Sequence, residues 1–188
     1  MLNVGGARVP VGDEYADWDV DLLDIDPAVQ PDILLDAREM LALPVGEYDA
    51  VYSSHSLEHF HEYEVDVVLR GFHHVLKADG FADVRVPDVM AVMEAVVGLG
   101  LGLDAVLWQS AAGPVRASDA LWGFQRNIQR TGHDYYAHKW GFSRDLLGRA
   151  LRRAGFAHVL IGGGSYALKA MAFKQKPNAE RPNERIGT

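Results

Sequence analysis

Four brief apolar runs open this chain, and each is closed by a glycine, an aspartate or a serine. Leu2-Asn3-Val4 meets Gly5-Gly6, and Trp18 to Ile25 ends in Asp24-Ile25-Asp26-Pro27. Asp32 to Leu35 ends at Asp36, and Tyr48 to Tyr52 ends at Ser53-Ser54. Runs this short and this apolar are expected of strands buried on both faces, as in a parallel sheet. Helical spacing follows. Leu57, Val65, Val68, Leu69, Phe72, Val75 and Leu76 recur between Ser56 and Lys77, and Ala78-Asp79-Gly80 stops that helix. Phe81 to Val86 reads as a fifth strand. Ser143 is a good N-cap for a helix over Arg144 to Ala154, which Gly155 ends. Ala157 to Ile161 and Ala167 to Lys174 read as two last strands around Gly162-Gly163-Gly164.

The alternation predicts an α/β fold: a doubly wound, Rossmann-like, mainly parallel seven-strand sheet with an antiparallel last strand. One domain is expected over 1–174. Within it, 88–139 forms a substrate-side insertion or lid, rich in Trp, Gly, Gln and His; connections of such length tend to be functional. The polar, Pro-containing stretch 175–188 reads as a disordered tail.

Composition narrows the partners. The 188 residues suffice for one full core, and the formal charge of 18 − 26 = −8 argues against a nucleic-acid backbone as partner. With no cysteine, disulfides, thiolate metal sites and a cysteine nucleophile are excluded. The N-terminus lacks a basic region followed by an apolar run, and the most apolar segment, Ala91 to Trp108, is broken by Glu94, Asp104 and three glycines. A soluble cytoplasmic protein is expected, with no membrane partner.

In a doubly wound sheet, ligands sit at the carboxyl ends of the strands near the topological switch point. The strand ends here carry Gly5-Gly6, Asp24, Asp36 and Ser53-Ser54-His55. Glycines let a ligand approach backbone, and a carboxylate accepts both hydroxyls of a ribose.

On these residues, and above all on YDAVYSSHSLEHF and HHVLKADGFADVRVPD, the chain resembles class I S-adenosylmethionine-dependent methyltransferases of the "type 11" kind, from Leu2 to Lys174. The resemblance implies S-adenosylmethionine as cofactor. Gly5 and Gly6 then form the cofactor loop, Asp24 with Ile25 beside it meets the ribose, Asp36 and Ala37 face the adenine, and Ser53, Ser54 and His55 line the methionine end. It implies methyl transfer to O or N of a small polar molecule. Two departures stand out. Asn3-Val4-Gly5-Gly6-Ala7 replaces the usual D/E-x-G-x-G-x-G, and the stretch after Gly6, interrupted by Pro10 and Gly12, scarcely holds a regular first helix. A family segment that covers the site from the N-terminal side also has no counterpart, so pairing through an exposed apolar face, as a homodimer, is expected.

His55-Ser56-Leu57-Glu58-His59 spells H-x-x-E-H, a zinc-protease spacing. A zinc site needs a third ligand and an open position on a longer helix. Here the string begins at a strand end and matches the "LEH" of the methyltransferases, so no metal is expected. If the nucleophile carries a proton, His59 and His55 are the first candidates for the base, with His133 or His138 second. Tyr52 or Trp140 can face a sulfonium. His133, Tyr136, His138 and Trp140 resemble the wall of a pocket for a small polar substrate. The alternatives are a catalytically inactive methyltransferase-fold binding or regulatory module, and a metal-dependent hydrolase using the histidines.

Overall fold

The computed structural model describes residues 1–110, 113–164 and 166–177, so most of the expected tail lies outside the described residues. Seven strands form one sheet in the order β3-β2-β1-β4-β5-β9-β8. The first four are β1 (Leu2–Val4), β2 (Asp21–Asp24), β3 (Ile33–Leu34) and β4 (Tyr48–Ser54); β5 (Leu76–Pro87), β8 (His158–Gly164) and β9 (Ala167–Phe173) complete it. β1 to β5 pair in parallel, and the last strand, β9, inserts antiparallel between β5 and β8. The seven-stranded Rossmann-like sheet expected from the sequence is present.

The long helix begins later than expected. Leu57–His59 makes a single 3-10 turn, and helix α1 (Glu62–Val75) starts after His61, whose backbone N–H donates to the Glu64 carboxylate at 2.9 Å. Glu64 at that position completes a capping box, a stronger start signal than Ser56 offers. At the other end the chain turns straight into β5, so Ala78-Asp79-Gly80 lies within that strand and not in a separate turn. The pairing register shifts there, between Tyr48 and Ala50 on the partner strand.

Helix α5 (Arg144–Arg153) runs as expected, with the Ser143 hydroxyl accepting from the Leu146 N–H and Gly155 in a positive-φ conformation past its end. Apolar residues of α1 and α5 (Val68, Leu69, Phe72, Leu147, Leu151) pack on Leu2, Val4, Val51, Val84 and Leu168 of the sheet, and all are buried. Burial of this kind supplies most of a fold's stability.

The opposite face is built differently. Among the described residues the crossovers β1→β2 and β2→β3 carry only 3-10 turns, at Asp13–Tyr15 and Pro27–Val29. The scarcely fitting first helix is indeed absent, and a small cluster of Met1, Tyr15, Ala50 and Tyr52 lies there instead.

The segment 88–139 holds α2 (Val89–Gly98), a hairpin of β6 (Val106–Ser110) with β7 (Gly113–Arg116), α3 (Ala117–Trp122) and α4 (Gln125–Thr131). Its own small core is Val92, Val115, Ala117 and Ala120. The hairpin was not legible in the sequence, because short elements in a satellite cluster leave little periodic signal. No helix among the described residues is long and apolar enough to cross a membrane.

Candidate functional site

The strand order reverses between β1 and β4, and the residues after those strands converge there. Gly5 has φ +69°, and a Cβ on it would strike the Ser56 hydroxyl, so both its backbone and its packing require glycine. A Cβ on Gly6 would strike the Asn3 side chain. Asn3 and Ser53 are buried, yet Asn3 Oδ1 and Ser53 Oγ have no hydrogen-bond partner among the described residues. Buried polar atoms left unpaired are rare in folded proteins and point to a missing partner.

Asp24 ends β2. Its carboxylate accepts the Ala7 N–H at 3.2 Å and the Asp26 N–H at 3.0 Å, one on each oxygen, which leaves a lone pair on each. Arg8 reaches across to the carbonyls of Val29 and Gln30 and ties the glycine loop to the loop after β2. Ile25 presents an exposed apolar side chain beside Asp24.

Asp36 caps the 3-10 segment Ala37–Ala42 by accepting the Arg38 N–H at 2.9 Å, and it pairs with the Arg38 guanidinium at 2.5 Å. Burial resists its charge, but the bonds from Arg38 outweigh that and hold the carboxyl below its usual range. Ala37 is buried beneath it.

The histidines gather around a residue to which no role was assigned from sequence. Glu58, in the turn after β4, is 1% exposed, and neither carboxylate oxygen accepts a hydrogen bond among the described residues. His55 Nδ1 stands 3.3 Å from Glu58 Oε1, within ion-pair range. His138 Nε2 lies 3.9 Å from the same oxygen. The rings of His59 and His138 meet edge-on, with centroids 5.1 Å apart.

Two backbone carbonyls set the tautomers of these rings. Nδ1 of His59 is 3.1 Å from the Ala137 oxygen, and Nδ1 of His138 is 2.9 Å from the Ala120 oxygen. A carbonyl only accepts, so both Nδ1 atoms carry a proton, and Nε2 is the nitrogen of each ring not spent on a carbonyl.

Burial opposes the Glu58 charge most strongly, but His55, His59 and His138 together hold the carboxyl below its ordinary range. Burial pushes the His138 imidazole down, with Glu58 opposing. His55 moves up, because Glu58 outweighs the burial that would lower it. His55 also holds φ +53°, an uncommon conformation for a residue with a Cβ, fixed by its N–H donating to the Arg85 carbonyl at 2.8 Å.

The strap after α4 brings His138 in. The Lys139 and Trp140 N–H groups both donate to the Glu58 carbonyl, at 2.8 and 3.2 Å, and Gly123 bridges to Ala137. Among the expected substrate residues, His138 joins Glu58 and Trp140 packs against the main core. Tyr136 is half-buried against Tyr135, and His133 is exposed and stacks on Tyr135 at 4.9 Å. Burial, with Tyr136 and Asp26 beside it, raises the Tyr135 phenol, so the strap also touches the loop after β2. Tyr52, expected to face a sulfonium, carries the Arg85 guanidinium 5.0 Å from its ring centre.

On the far side of His55 lies an open groove of about 580 Å³ at the carboxyl ends of β4, β5 and β8. Ser54, His55, Arg85, Leu160, Lys169 and Met171 line it. Its size is within the usual range for small-molecule sites. Sequence reasoning missed Leu160 and Met171, whose exposure follows from the thin cover of that sheet face.

Residues 20–82, about a third of the chain, match the profile of the family described as "Methyltransferase domain". No protein of curated function matches the sequence. Among solved structures, the chain is similar to an S-adenosylmethionine-dependent methyltransferase from Archaeoglobus fulgidus, at 14% identity over 92% of this chain and 85% of that one, with a TM-score of 0.55. An S-adenosylmethionine-dependent methyltransferase from Mesorhizobium loti gives 17% identity, 92% and 89% coverage, and a TM-score of 0.54. The 1,6-didemethyltoxoflavin-N1-methyltransferase of Burkholderia thailandensis, solved with 1,6-didemethyltoxoflavin and S-adenosylhomocysteine, gives 16%, 93% and 70%, and a TM-score of 0.53. At these identities the structures establish the shared fold.

Proposed function

We infer that this chain is an S-adenosylmethionine-dependent methyltransferase that transfers a methyl group to an oxygen or nitrogen of a small polar molecule, a reading supported by its matched segment and its seven-stranded sheet. The observation that carries the reading is the groove against His55, at the carboxyl ends of the central strands.

The residues at the switch point fit the cofactor. Asn3 Oδ1 and Ser53 Oγ are buried polar atoms without partners, and Asp24 keeps free lone pairs on both carboxylate oxygens. Asn3, Gly5, Gly6 and Ser53 would hold the amino-acid end, Asp24 the ribose, and Ile25, Asp36 and Ala37 the adenine side. When bound, S-adenosylmethionine supplies an electrophilic methyl on a sulfonium.

The chain's own part is positioning and proton removal, since most of the gain in such a displacement comes from holding the nucleophile in line and excluding water. Leu160 and Met171 offer apolar surface to the acceptor, while Arg85 and Lys169 offer cations partly committed to Asp83 and Glu14. His55, half-exposed and braced by Glu58, is the ring open to the groove and takes the acceptor's proton.

Calorimetric titration with S-adenosylmethionine and S-adenosylhomocysteine, beside Asp24→Ala, tests the cofactor site. Micromolar binding that the variant weakens at least about 100-fold, or about 2.7 kcal/mol, is expected. Absence of binding in folded protein at millimolar ligand would sink the reading. A binding-module role is favoured by one observation, the space at Gly5 and Gly6 already taken by Ser56 and Asn3. Weakened cofactor binding in folded protein, without turnover of any acceptor, would support it.

A further inference from the structure

We propose that Glu58, His59 and His138 form a binding site for a divalent cation of the zinc class, which fastens the strap over 137–140 to the end of β4. Sequence reading expects no metal here. The proposal stands on the geometry of these three side chains and is independent of methyl transfer.

Each of the three residues offers one ligand atom, and these atoms all lie within 4.8 Å of one another. A tetrahedral cation about 2.0–2.2 Å from each ligand sets them about 3.3–3.6 Å apart, so binding would draw the three side chains together by up to about 1.5 Å. Three features argue for a ligand set over a chance cluster.

First, Glu58 is 1% exposed and both its oxygens lack hydrogen-bond partners among the described residues. A buried carboxylate is strongly disfavoured unless it is paired or coordinates a metal. His55 pairs with only one of its oxygens, Oε1, at 3.3 Å, and the Nδ1 protons of His59 and His138 are given to backbone carbonyls.

Second, those carbonyl bonds are the arrangement metal-binding histidines use. The far nitrogen donates to a backbone carbonyl, which fixes the tautomer and leaves Nε2 as the ligand.

Third, the three side chains are held from two sides. Glu58 and His59 sit in one rigid turn, and the Glu58 carbonyl takes two N–H groups from the strap that carries His138.

Two imidazoles and one carboxylate match zinc and its neighbours better than magnesium or calcium, which prefer oxygen alone. The role that follows is a staple. Residues 58 and 138 lie far apart in sequence, and an ion joining them would hold the strap, with Tyr135 and Tyr136, against the cofactor loops.

The test is a titration of the full chain, freed of metal by a chelator, with Zn²⁺ alone by calorimetry and with Co²⁺ alone by visible absorbance. No cofactor or substrate is added, so the result is separable from the methyl-transfer reading. One ion per chain is expected, with a rise in thermal midpoint on Zn²⁺ addition. Glu58→Gln and His138→Gln should each weaken binding by about 100-fold or more, beyond the 10–100-fold that loss of an outer partner causes. His158→Ala, on β8, should leave it unchanged. Circular dichroism confirms that each variant is folded, and His59→Gln serves if one is not. Failure of the folded wild type to bind either ion, or equal binding in the Glu58 and His138 variants, would overturn the proposal.

Discussion

The two faces of the sheet are held by different physics. On one, α1 and α5 press Phe72, Leu69, Leu147 and Leu151 onto strand residues that are themselves buried and apolar. On the other, a loop takes the place of a helix and is pinned by polar groups. The Tyr15 hydroxyl donates to the Asp83 carboxylate at 2.9 Å, and Asp83 is fully buried. Arg85 pairs with Asp83 at 2.9 Å and with Glu14 at 2.5 Å, and Lys169 reaches Glu14 at 2.9 Å. Burial, and then Asp83, push the Tyr15 phenol well above its ordinary range. A three-residue turn cannot bury enough apolar area to hold itself down, so directional bonds to a buried carboxylate do the fastening. The same thin cover leaves the groove beside His55 open.

The contrast is measurable by denaturant unfolding. On the helical face, Phe72→Ala opens a cavity at a fully buried position and should cost about 3–5 kcal/mol. On the loop face, Tyr15→Phe keeps the ring and removes only the hydroxyl, so about 1–2 kcal/mol is expected. If Tyr15→Phe matched Phe72→Ala, the loop face would be as structural as the core, and the comparison would fail.

The smallest effect is also the most diagnostic. Lys169 first, with Arg85 assisting, holds the Glu14 carboxyl down to about 2. A depressed folded value means that its contribution is complete above the ordinary carboxylate range, around 4.5, and is lost as pH falls toward 2. Glu14 is about a third exposed, so Glu14→Gln should cost no more than about 1 kcal/mol near neutrality. The gap between wild type and variant should close between pH 4.5 and 2. A gap that persists at the acid end would show that Glu14 acts by packing and not by charge.

The strands could be read from sequence because each obeys a local rule. A parallel strand buried on both faces needs a short apolar run, and its end needs a turn-former, so Leu2-Asn3-Val4-Gly5 and Tyr48 to Ser54 declare themselves. α5 likewise announces both ends, through Ser143 and Gly155. The late start of α1 was harder, because Ser56 and His61 both offer a beginning and only the Glu64 carboxylate, bonded back to His61, decides between them. The hairpin of β6 and β7 stayed hidden, since it packs on a small cluster apart from the main core and follows no long period.

Sequence by itself determined the strand order's raw material, the absence of a first helix, and the set of strand-end residues: Gly5, Asp24, Asp36, Ser53 and His55. These depend on neighbours a few positions away, where backbone geometry and burial pattern are local. Only the tertiary structure decided that Glu58 is the buried centre of the histidines, that His138 and not His133 reaches it, and that Asp83 anchors the uncovered face. Each of those facts rests on contacts between segments about 70 to 80 positions apart. Such contacts are set by how the strap and the loop close over the sheet, and closure of that kind leaves no period in the chain.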